Sequence, residues 1–187
     1  MILMVWQNGY IIVLYNRLIN YRGTTDRKIR KGEHKMLKIE NEKLIFHHDA
    51  EEVWIEPWGL NAFRIRATKE YRMPDEDWAL CTKGNASSEI RYTEQGAEIV
   101  NGKIRAEITN LGKIMIYHSD GRLLLEEYCR NRIDITDKKC SAIKVEAREF
   151  KPILGGDYHL TMRFESVDKN EKIYGMGQYQ QPYLDLK

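Results

Sequence analysis

Short runs in which apolar and polar residues alternate one by one dominate the chain from Met36 onward. Three of them are AFRIRAT (62–68), KIRAEIT (103–109) and YHLTMRF (158–164). A period of two buries one face of a strand and leaves the other in water, as antiparallel sheets do. In the first run we therefore expect Phe63, Ile65 and Ala67 to be buried and Arg64 and Arg66 to face solvent.

Turn signals separate these runs. Asn101-Gly102 precedes KIRAEIT and predicts a hairpin with a type I′ turn, in which both central residues have positive φ. Asp120-Gly121 predicts a second turn, and Gly155-Gly156 precedes the YHLTMRF strand. MPDEDWAL (73–80) is predicted to be a loop, and no stretch after Met36 predicts a long amphipathic helix. Many short strands with closely spaced turns indicate an all-β, antiparallel sandwich or barrel.

Residues 1–35 differ from the rest and form a predicted N-terminal extension. An apolar, aromatic run is followed by basic residues, but Gln7, Asn8 and Gly9 interrupt it short of the roughly 20 residues that a membrane span needs. A signal peptide would carry its charges before the apolar run. Lys31-Gly32-Glu33 can be encoded by a bacterial ribosome-binding sequence two codons before Met36. We expect a leader that precedes a natural start at Met36, with an interfacial segment as the alternative.

Composition excludes several classes of protein. A chain of 187 residues with a net charge of +2 suits one domain and gives no sign of a nucleic-acid partner. Three cysteines without CxxC spacing favour reduced thiols and a cytoplasmic location, and they form no zinc motif with the five histidines. Gly175-Met176-Gly177 lacks the third glycine of a dinucleotide fingerprint. We therefore expect no cofactor and no metal.

No catalytic constellation stands out among the acids and histidines. The acids fall mostly on the wet side of strands, as Glu107 does, or in turns, as Asp120 does. His47 and His48 are adjacent, so on a strand they point to opposite faces, and we interpret them as a strand end. For the remaining strand histidines, His118 and His159, a structural role is favoured over acid/base catalysis.

Aromatic side chains offer a second route to function, because flat rings can stack on sugars. Trp54, Trp58 and Trp78 fall in or near predicted loops, and tyrosines crowd the C-terminal segment. Burial in the core or in an interface is favoured for the tryptophans, since such rings bury large areas.

The segment FESVDKNEKIYGMGQYQQPYLDLK (164–187) resembles the end of the N-terminal β-sandwich of family 31 glycoside hydrolases. In that family a strand ending in Phe leads to an acid-rich turn and a Glu-x-Ile/Phe-Tyr-Gly-x-Gly-Glu/Gln segment. The matching residues are Phe164, Glu171, Ile173, Tyr174, Gly175, Gly177 and Gln178, followed by Leu184, Leu186 and Lys187. The runs 63–68 and 101–127 are similar to earlier strands of that domain. The continuation after Gln178 is most similar to the α-xylosidase branch.

This resemblance implies that residues 36–187 form a galactose-mutarotase-like β-sandwich that leads to a (β/α)₈ barrel. The family's retaining chemistry uses two barrel aspartates, whose motifs this sequence lacks. We therefore predict no catalytic residue here and no turnover by this chain alone. The resemblance implies that a sugar-facing or barrel-interface surface includes Tyr174, Gln178, Tyr179, Gln180 and Tyr183, with Met176, Pro182 and Leu184 beside them.

Two functions from different classes remain open. The favoured one is the non-catalytic N-terminal portion of an α-glycosidase acting on α-xylosides or α-glucosides, whose barrel is missing here or carried by a partner chain. The alternative is an independent carbohydrate-binding β-sandwich. A mutarotase-like enzyme ranks third, because it needs a histidine and a carboxylate on one face. A membrane partner is disfavoured.

Overall fold

The computed structural model describes residues 2–7, 10–15, 36–73, 80, 84, 86–130, 139–168 and 172–174. They form fifteen strands, and no helix occurs among them. The strands are β1 (Ile2–Gln7), β2 (Tyr10–Tyr15), β3 (Leu37–Glu40), β4 (Lys43–His48), β5 (Glu51–Pro57), β6 (Ala62–Thr68), β7 (Ser88–Thr93), β8 (Gly96–Asn101), β9 (Ile104–Thr109), β10 (Ile114–His118), β11 (Leu123–Glu127), β12 (Arg148–Pro152), β13 (Tyr158–Met162), β14 (Phe164–Glu165) and β15 (Lys172–Tyr174).

Two large sheets form a sandwich. The first has the strand order β15-β1-β2-β6-β5-β4-β3, and the second has the order β14-β11-β10-β9-β8-β7. Strands β12 and β13 make a separate hairpin. The pairing of β2 with β6 is parallel, whereas the other strand pairs are antiparallel. The predicted antiparallel β-sandwich is confirmed, with one parallel pair that the sequence did not predict.

The core lies between the sheets and follows the predicted alternation. Phe63 and Ile65 of the first sheet meet Ile104, Ala106 and Ile108 of the second, and all five are buried. Between these core positions, the intervening residues of β9 are only partly exposed. Apolar burial on two facing sheets is the main driving force for such a fold.

The outer face of β6 corrects one prediction. Arg64 and Arg66, which we expected in water, are 1% and 2% exposed. Glu56 of the neighbouring β5 accepts hydrogen bonds from Arg66 Nε at 2.9 Å and from Arg66 Nη2 at 2.7 Å. A buried guanidinium is tolerated when a carboxylate matches its donors. The alternation therefore predicted correctly that Arg64 and Arg66 lie on the outer face of β6. It predicted wrongly that their side chains are exposed to solvent.

The hairpin between β8 and β9 differs from its predicted geometry. Asn101 belongs to β8, so the two central residues of the turn are Gly102 and Lys103, and of these only Gly102 has a positive φ, 61°. This is the pattern of a type II′ turn, not of the predicted type I′ turn. Type I′ geometry occurs instead between β3 and β4, where Asn41 and Glu42 have φ values of 48° and 60°.

The predicted YHLTMRF strand is two strands. Residues Tyr158–Met162 pair with β12, whereas Phe164–Glu165 pair with β11 of the second sheet. Arg163 separates them: its backbone N–H donates to Ala147 O at 2.7 Å, and its carbonyl accepts from Tyr128 N at 2.9 Å. The chain changes sheets at this residue without losing its alternation, which is why the sequence pattern did not reveal the break.

Several predictions fall partly or wholly outside the described residues. Of the predicted loop 73–80, only Met73 and Leu80 are described. Within 1–35, strands β1 and β2 extend the first sheet through the backbone pairing of β2 with β6. A natural start at Met36 stays a prediction.

Asn101 ties the two sheets together at one end of the sandwich. Its side-chain Nδ2 donates to Gly59 O at 2.7 Å and to Ala62 O at 2.8 Å, in the turn between β5 and β6. Asn61 in that turn makes a further link between the sheets, since its Oδ1 accepts a hydrogen bond from Lys103 N at 2.6 Å. Asn101 is 1% exposed, so water cannot easily replace these bonds.

We expect Asn101→Ala to lower the free energy of unfolding by about 1–3 kcal/mol, because two carbonyl groups lose a buried donor. Urea unfolding followed by circular dichroism measures this loss. Asn110→Ala is the matched control, since Asn110 is exposed at the opposite end of β9. Equal losses in both variants would contradict the role given to Asn101.

Candidate functional site

A cleft of about 860 Å³ opens at the other end of the sandwich. Its walls include the turn after β4, the turn between β9 and β10, and the chain that enters β12. His48, Glu51, Gly112, Glu127 and Arg148 are among the lining residues. Titratable side chains converge in this concave surface, as they do in active sites, so the cleft is the candidate functional site.

Arg148 lies at the centre of a buried ion triad in this cleft. Its Nε donates to Glu51, its Nη1 donates to Glu127, and its Nη2 donates to Gly112 O at 3.0 Å. The second oxygen of Glu127 accepts from Ile114 N at 2.9 Å. The Arg148 side chain is 8% exposed and that of Glu127 is 1% exposed. One guanidinium thus joins β5, β11, β12 and the β9–β10 turn.

Electrostatics explain why the three charges stay together. Burial raises the pKa of Glu127, and the positive charge of Arg148 works against that rise. Burial alone would lower the pKa of Arg148, but the charges of Glu127 and Glu51 outweigh it and raise that pKa above its usual value. Arg148 therefore remains a cation that both carboxyl groups need.

Gly112 allows the β9–β10 turn to approach the triad. Its φ is +84°, a left-handed conformation in which side chains are strained. A Cβ at this position would lie 2.6 Å from Phe46 Cζ and 3.3 Å from Arg148 Nη2. Glycine is thus required both by the backbone conformation and by the neighbouring side chains.

The triad does not have the arrangement of a glycosidase acid pair. A retaining enzyme presents one carboxylate as nucleophile and one carboxyl as acid to the same sugar. Here Glu51 and Glu127 both bind the Arg148 guanidinium, which occupies the space between them. We interpret the triad as a structural lock.

Sequence reasoning missed these three residues. A signal existed for Glu127, since it follows Leu125 by two positions and therefore shares the core face of β11. A glutamate at a core position needs a cation, but the sequence does not say which of the 30 lysines and arginines supplies it.

The outer face of the second sheet carries a ladder of ion pairs. Glu98, 3% exposed, contacts Arg91 and lies with Oε2 3.5 Å from Arg105 Nη1, and Arg105 also reaches Glu107 at 2.8 Å. The Arg105 guanidinium lies 4.8 Å from the ring centre of Tyr117. Cross-strand pairs of opposite charge stabilise a sheet modestly.

Lys139 continues the ladder at β11 and β14. Its Nζ contacts Glu126 and lies 2.7 Å from Glu165 Oε1, while Lys113 lies 2.8 Å from Glu126 and Arg130 lies 3.1 Å from Glu165. Burial by itself raises the pKa of Glu126, but hydrogen bonds from Lys113 and Lys139 outweigh it and hold that pKa below 4.5. The pKa of Glu165 is lowered in the same way by Arg130 and Lys139.

Trp54 is not an open platform for a sugar. It lies on β5, not in a loop, and its Nε1 donates to Glu52 Oε1 at 2.6 Å. Lys43 Nζ lies 3.9 Å from its ring centre, and Arg66 lies 4.9 Å from it. Trp58, directly after β5, has Arg64 over its ring at 4.7 Å. Trp78 lies outside the described residues.

The histidines lie where the sequence placed them. His47 and His48 end β4, as predicted, and both are exposed. His118 Nδ1 lies 2.8 Å from Asp120 Oδ2 in the turn after β10, which fits a structural role. His159 is on β13 and is exposed.

The surface implied by the family resemblance is largely undescribed. Tyr174 ends β15, where its backbone pairs with Met4 of β1. The other four residues, Gln178, Tyr179, Gln180 and Tyr183, lie outside the described residues. Their role at a sugar or at a barrel stays a prediction.

The described part of the chain shows neither a metal-binding cluster nor a membrane-spanning helix. It contains no group of three or more His, Cys, Asp or Glu that could hold a metal ion. It also contains no helix long and apolar enough to cross a membrane. Cys129 and Cys140 are not in a disulfide, and Cys81 is not described.

Comparison with known proteins identifies the relatives of this sandwich. No family model matches the chain. The "Uncharacterized family 31 glucosidase ORF2" of Pseudescherichia vulneris is 43% identical over 141 residues, which are 71% of this chain and 26% of the relative. The crystal structure of a family 31 α-xylosidase from a soil metagenome, complexed with xylose, matches 81% of this chain with a TM-score of 0.74 and 41% identity.

The chain is a homologue of the family 31 glycoside hydrolases. The resemblance stated for its sequence is confirmed, and so is the β-sandwich. The chain spans about a quarter of the length of these relatives, 26% of the glucosidase and 23% of the α-xylosidase.

We expect Arg148→Met to lower the free energy of unfolding by about 3–5 kcal/mol, because it leaves two buried or partly buried carboxylates without their cation. Arg163→Met is the matched control: Arg163 pairs with Glu149, and these side chains are 32% and 52% exposed. Denaturant unfolding compares the two variants. A loss no larger in Arg148→Met than in the control would contradict the structural lock.

We expect Lys139→Met to reduce stability at neutral pH but not in acid. Glu126 and Glu165 have lowered folded-state pKa values, so their contribution is present above about pH 4.5 and is lost as the pH falls through those values. The expected loss at about pH 7 is roughly 1 kcal/mol, shrinking towards zero at about pH 2. Lys144→Met, which removes an exposed pair with Glu146, serves as the control.

Proposed function

We propose that this chain is the non-catalytic N-terminal β-sandwich portion of a family 31 α-glycosidase. Its relatives are much longer, and the part of each that matches this chain is about a quarter of the relative. The described part of this chain is a β-sandwich. One relative is an α-xylosidase crystallised with xylose, and the other is described as a glucosidase. The intact enzyme would act on α-xylosides or α-glucosides through a catalytic barrel, in the same polypeptide or in a partner chain.

The state of the buried carboxyl groups carries this proposal. Each buried glutamate of the described residues contacts a lysine or arginine: Glu56, Glu98, Glu126 and Glu127. Buried Asp157 accepts a hydrogen bond from Tyr158 N at 2.7 Å. Glycoside hydrolysis needs a carboxylate that is free to attack the sugar or to activate water. These buried acids are instead engaged in contacts that stabilise the fold.

Two cysteines that are not in a disulfide, Cys129 and Cys140, support a cytoplasmic location as part of the proposal. Carbohydrate is its proposed ligand in the intact enzyme, and Tyr174, Gln178, Tyr179, Gln180 and Tyr183 are its proposed contact with the barrel or the sugar. The proposal requires neither cofactor nor nucleic acid.

We expect no turnover of aryl α-xylosides or α-glucosides by the purified chain, because each buried glutamate of its described part contacts a lysine or arginine. A barrel fragment can be prepared from the α-xylosidase by removing the quarter that matches this chain. Adding that fragment to the purified chain should restore hydrolysis. The same fragment with its nucleophile removed is the control. Turnover by this chain alone would overturn the proposal.

Titration with xylo- and gluco-oligosaccharides separates the alternative, an independent carbohydrate-binding sandwich. That function requires saturable binding without a barrel. The cations over Trp54 and Trp58 do not favour it, since a sugar would have to displace them. If the chain binds these oligosaccharides saturably and Trp54→Ala abolishes that binding, the alternative function is correct.

A further inference from the structure

Strand β7 ends the second sheet with an open edge. It pairs with β8 on one side, and no described strand pairs with its other side. Four of its six residues are exposed, and Tyr92 is 56% exposed. An unpaired edge presents a row of backbone donors and acceptors that can accept another strand.

The hairpin that follows β7 decides which backbone groups face outwards. Only Glu94 and Gln95 separate Thr93 from its partner Gly96, so this closing pair exchanges its own backbone hydrogen bonds. Because the direction alternates along a strand, Glu89 and Arg91 also bond to β8. The N–H and C=O groups of Ser88, Ile90 and Tyr92 therefore point away from the sheet.

We propose that β7 pairs antiparallel with β7 of a second copy of this chain, with Ile90 opposite Ile90 of the partner subunit. Ser88 then lies opposite Tyr92 of the partner subunit, so every outward backbone group meets a matching one. Glu89 lies opposite Arg91 of the partner subunit, and the symmetry repeats this pair. Arg91 Nε contacts Glu98 of its own subunit, but the Arg91 side chain is 70% exposed, so its terminal N–H groups can also reach the glutamate. Residues directly opposite share a face, so the opposite charges come together.

The charges on β7 favour this register over the two neighbouring registers, which are centred on Arg91 and on Glu89. Centring the pair on Arg91 also matches the backbone groups, but it places Arg91 opposite Arg91 of the partner subunit. Centring it on Glu89 places two glutamates together. Like charges directly opposite destabilise a sheet. Charged residues often protect an edge from pairing, but here one acid and one base two positions apart make the edge complementary to itself.

The apolar face favours the same arrangement. Ser88, Ile90 and Tyr92 lie on the side of β7 that faces the core, opposite Asn101, Ile99 and Ala97 of β8. Ile90 packs at the margin of the core, and Tyr92 is largely exposed there. In the dimer the two Ile90 side chains meet and each Tyr92 covers a Ser88. The two six-stranded sheets become one continuous sheet. This inference does not depend on the proposed glycosidase function.

Sedimentation velocity of the full chain over a range of concentrations tests the dimer. Glu89→Arg should weaken it by about tenfold or more, because two favourable pairs become two like-charge pairs. Glu94→Arg makes the same charge change in the turn, outside the paired region, and should leave the dimer intact. Circular dichroism confirms that both variants fold. A chain that stays monomeric at its highest soluble concentration overturns the proposal, and so does an equal effect of the two substitutions.

Disulfide trapping tests the register itself. In a background with Cys81, Cys129 and Cys140 replaced by serine, Ile90→Cys should cross-link under mild oxidation, since opposite Cα atoms of a hydrogen-bonded pair lie about 5.5 Å apart. Ser88→Cys and Tyr92→Cys should not cross-link alone but should cross-link when mixed. Failure of Ile90→Cys to cross-link, or self-cross-linking of Tyr92→Cys, overturns the register.

Discussion

Polar side chains fix the two sheets to each other at both ends of the sandwich, and the rest of the structure depends on this constraint. Apolar burial between the sheets is strong but has no direction, so it would allow the sheets to slide or rotate. Asn101 holds the β5–β6 turn at one end, and Arg148 holds the start of β5 at the other. Because hydrogen bonds hold both ends of β5, they fix the position of the first sheet relative to the second.

The same contacts that fix the fold engage its buried acids. Glu127 is buried, and burial would favour its neutral form, which is how many enzymes prepare a general acid. The positive charge of Arg148 works against that tendency without reversing it, and Arg148 Nη1 donates a hydrogen bond to the Glu127 carboxyl group. The sandwich matches about a quarter of the length of two longer proteins, one described as a family 31 glucosidase and the other as an α-xylosidase.

Period-two alternation revealed strands such as β6, β9 and β13, because a strand's pattern depends on its own residues. It could not reveal that Arg64 and Arg66 are buried, since that depends on what covers the outer face. Nor could it reveal the switch at Arg163, where the alternation continues while the partner strand changes. The triad of Glu51, Glu127 and Arg148 joins residues up to 97 positions apart, a pairing that no local pattern contains.

The two outer faces of the sandwich suit different roles. On the first sheet, the side chains of Arg66 and Glu56 are almost fully enclosed. On the second sheet, the ladder through Glu98 and Arg105 remains partly exposed, which suits a solvated surface. The unsatisfied part of the second sheet is its edge at β7, where backbone groups and not side chains lack partners among the described strands. A contact made through that edge adds a strand and leaves both polar locks undisturbed, because Asn101 and Arg148 act at the ends of the strands and not along them.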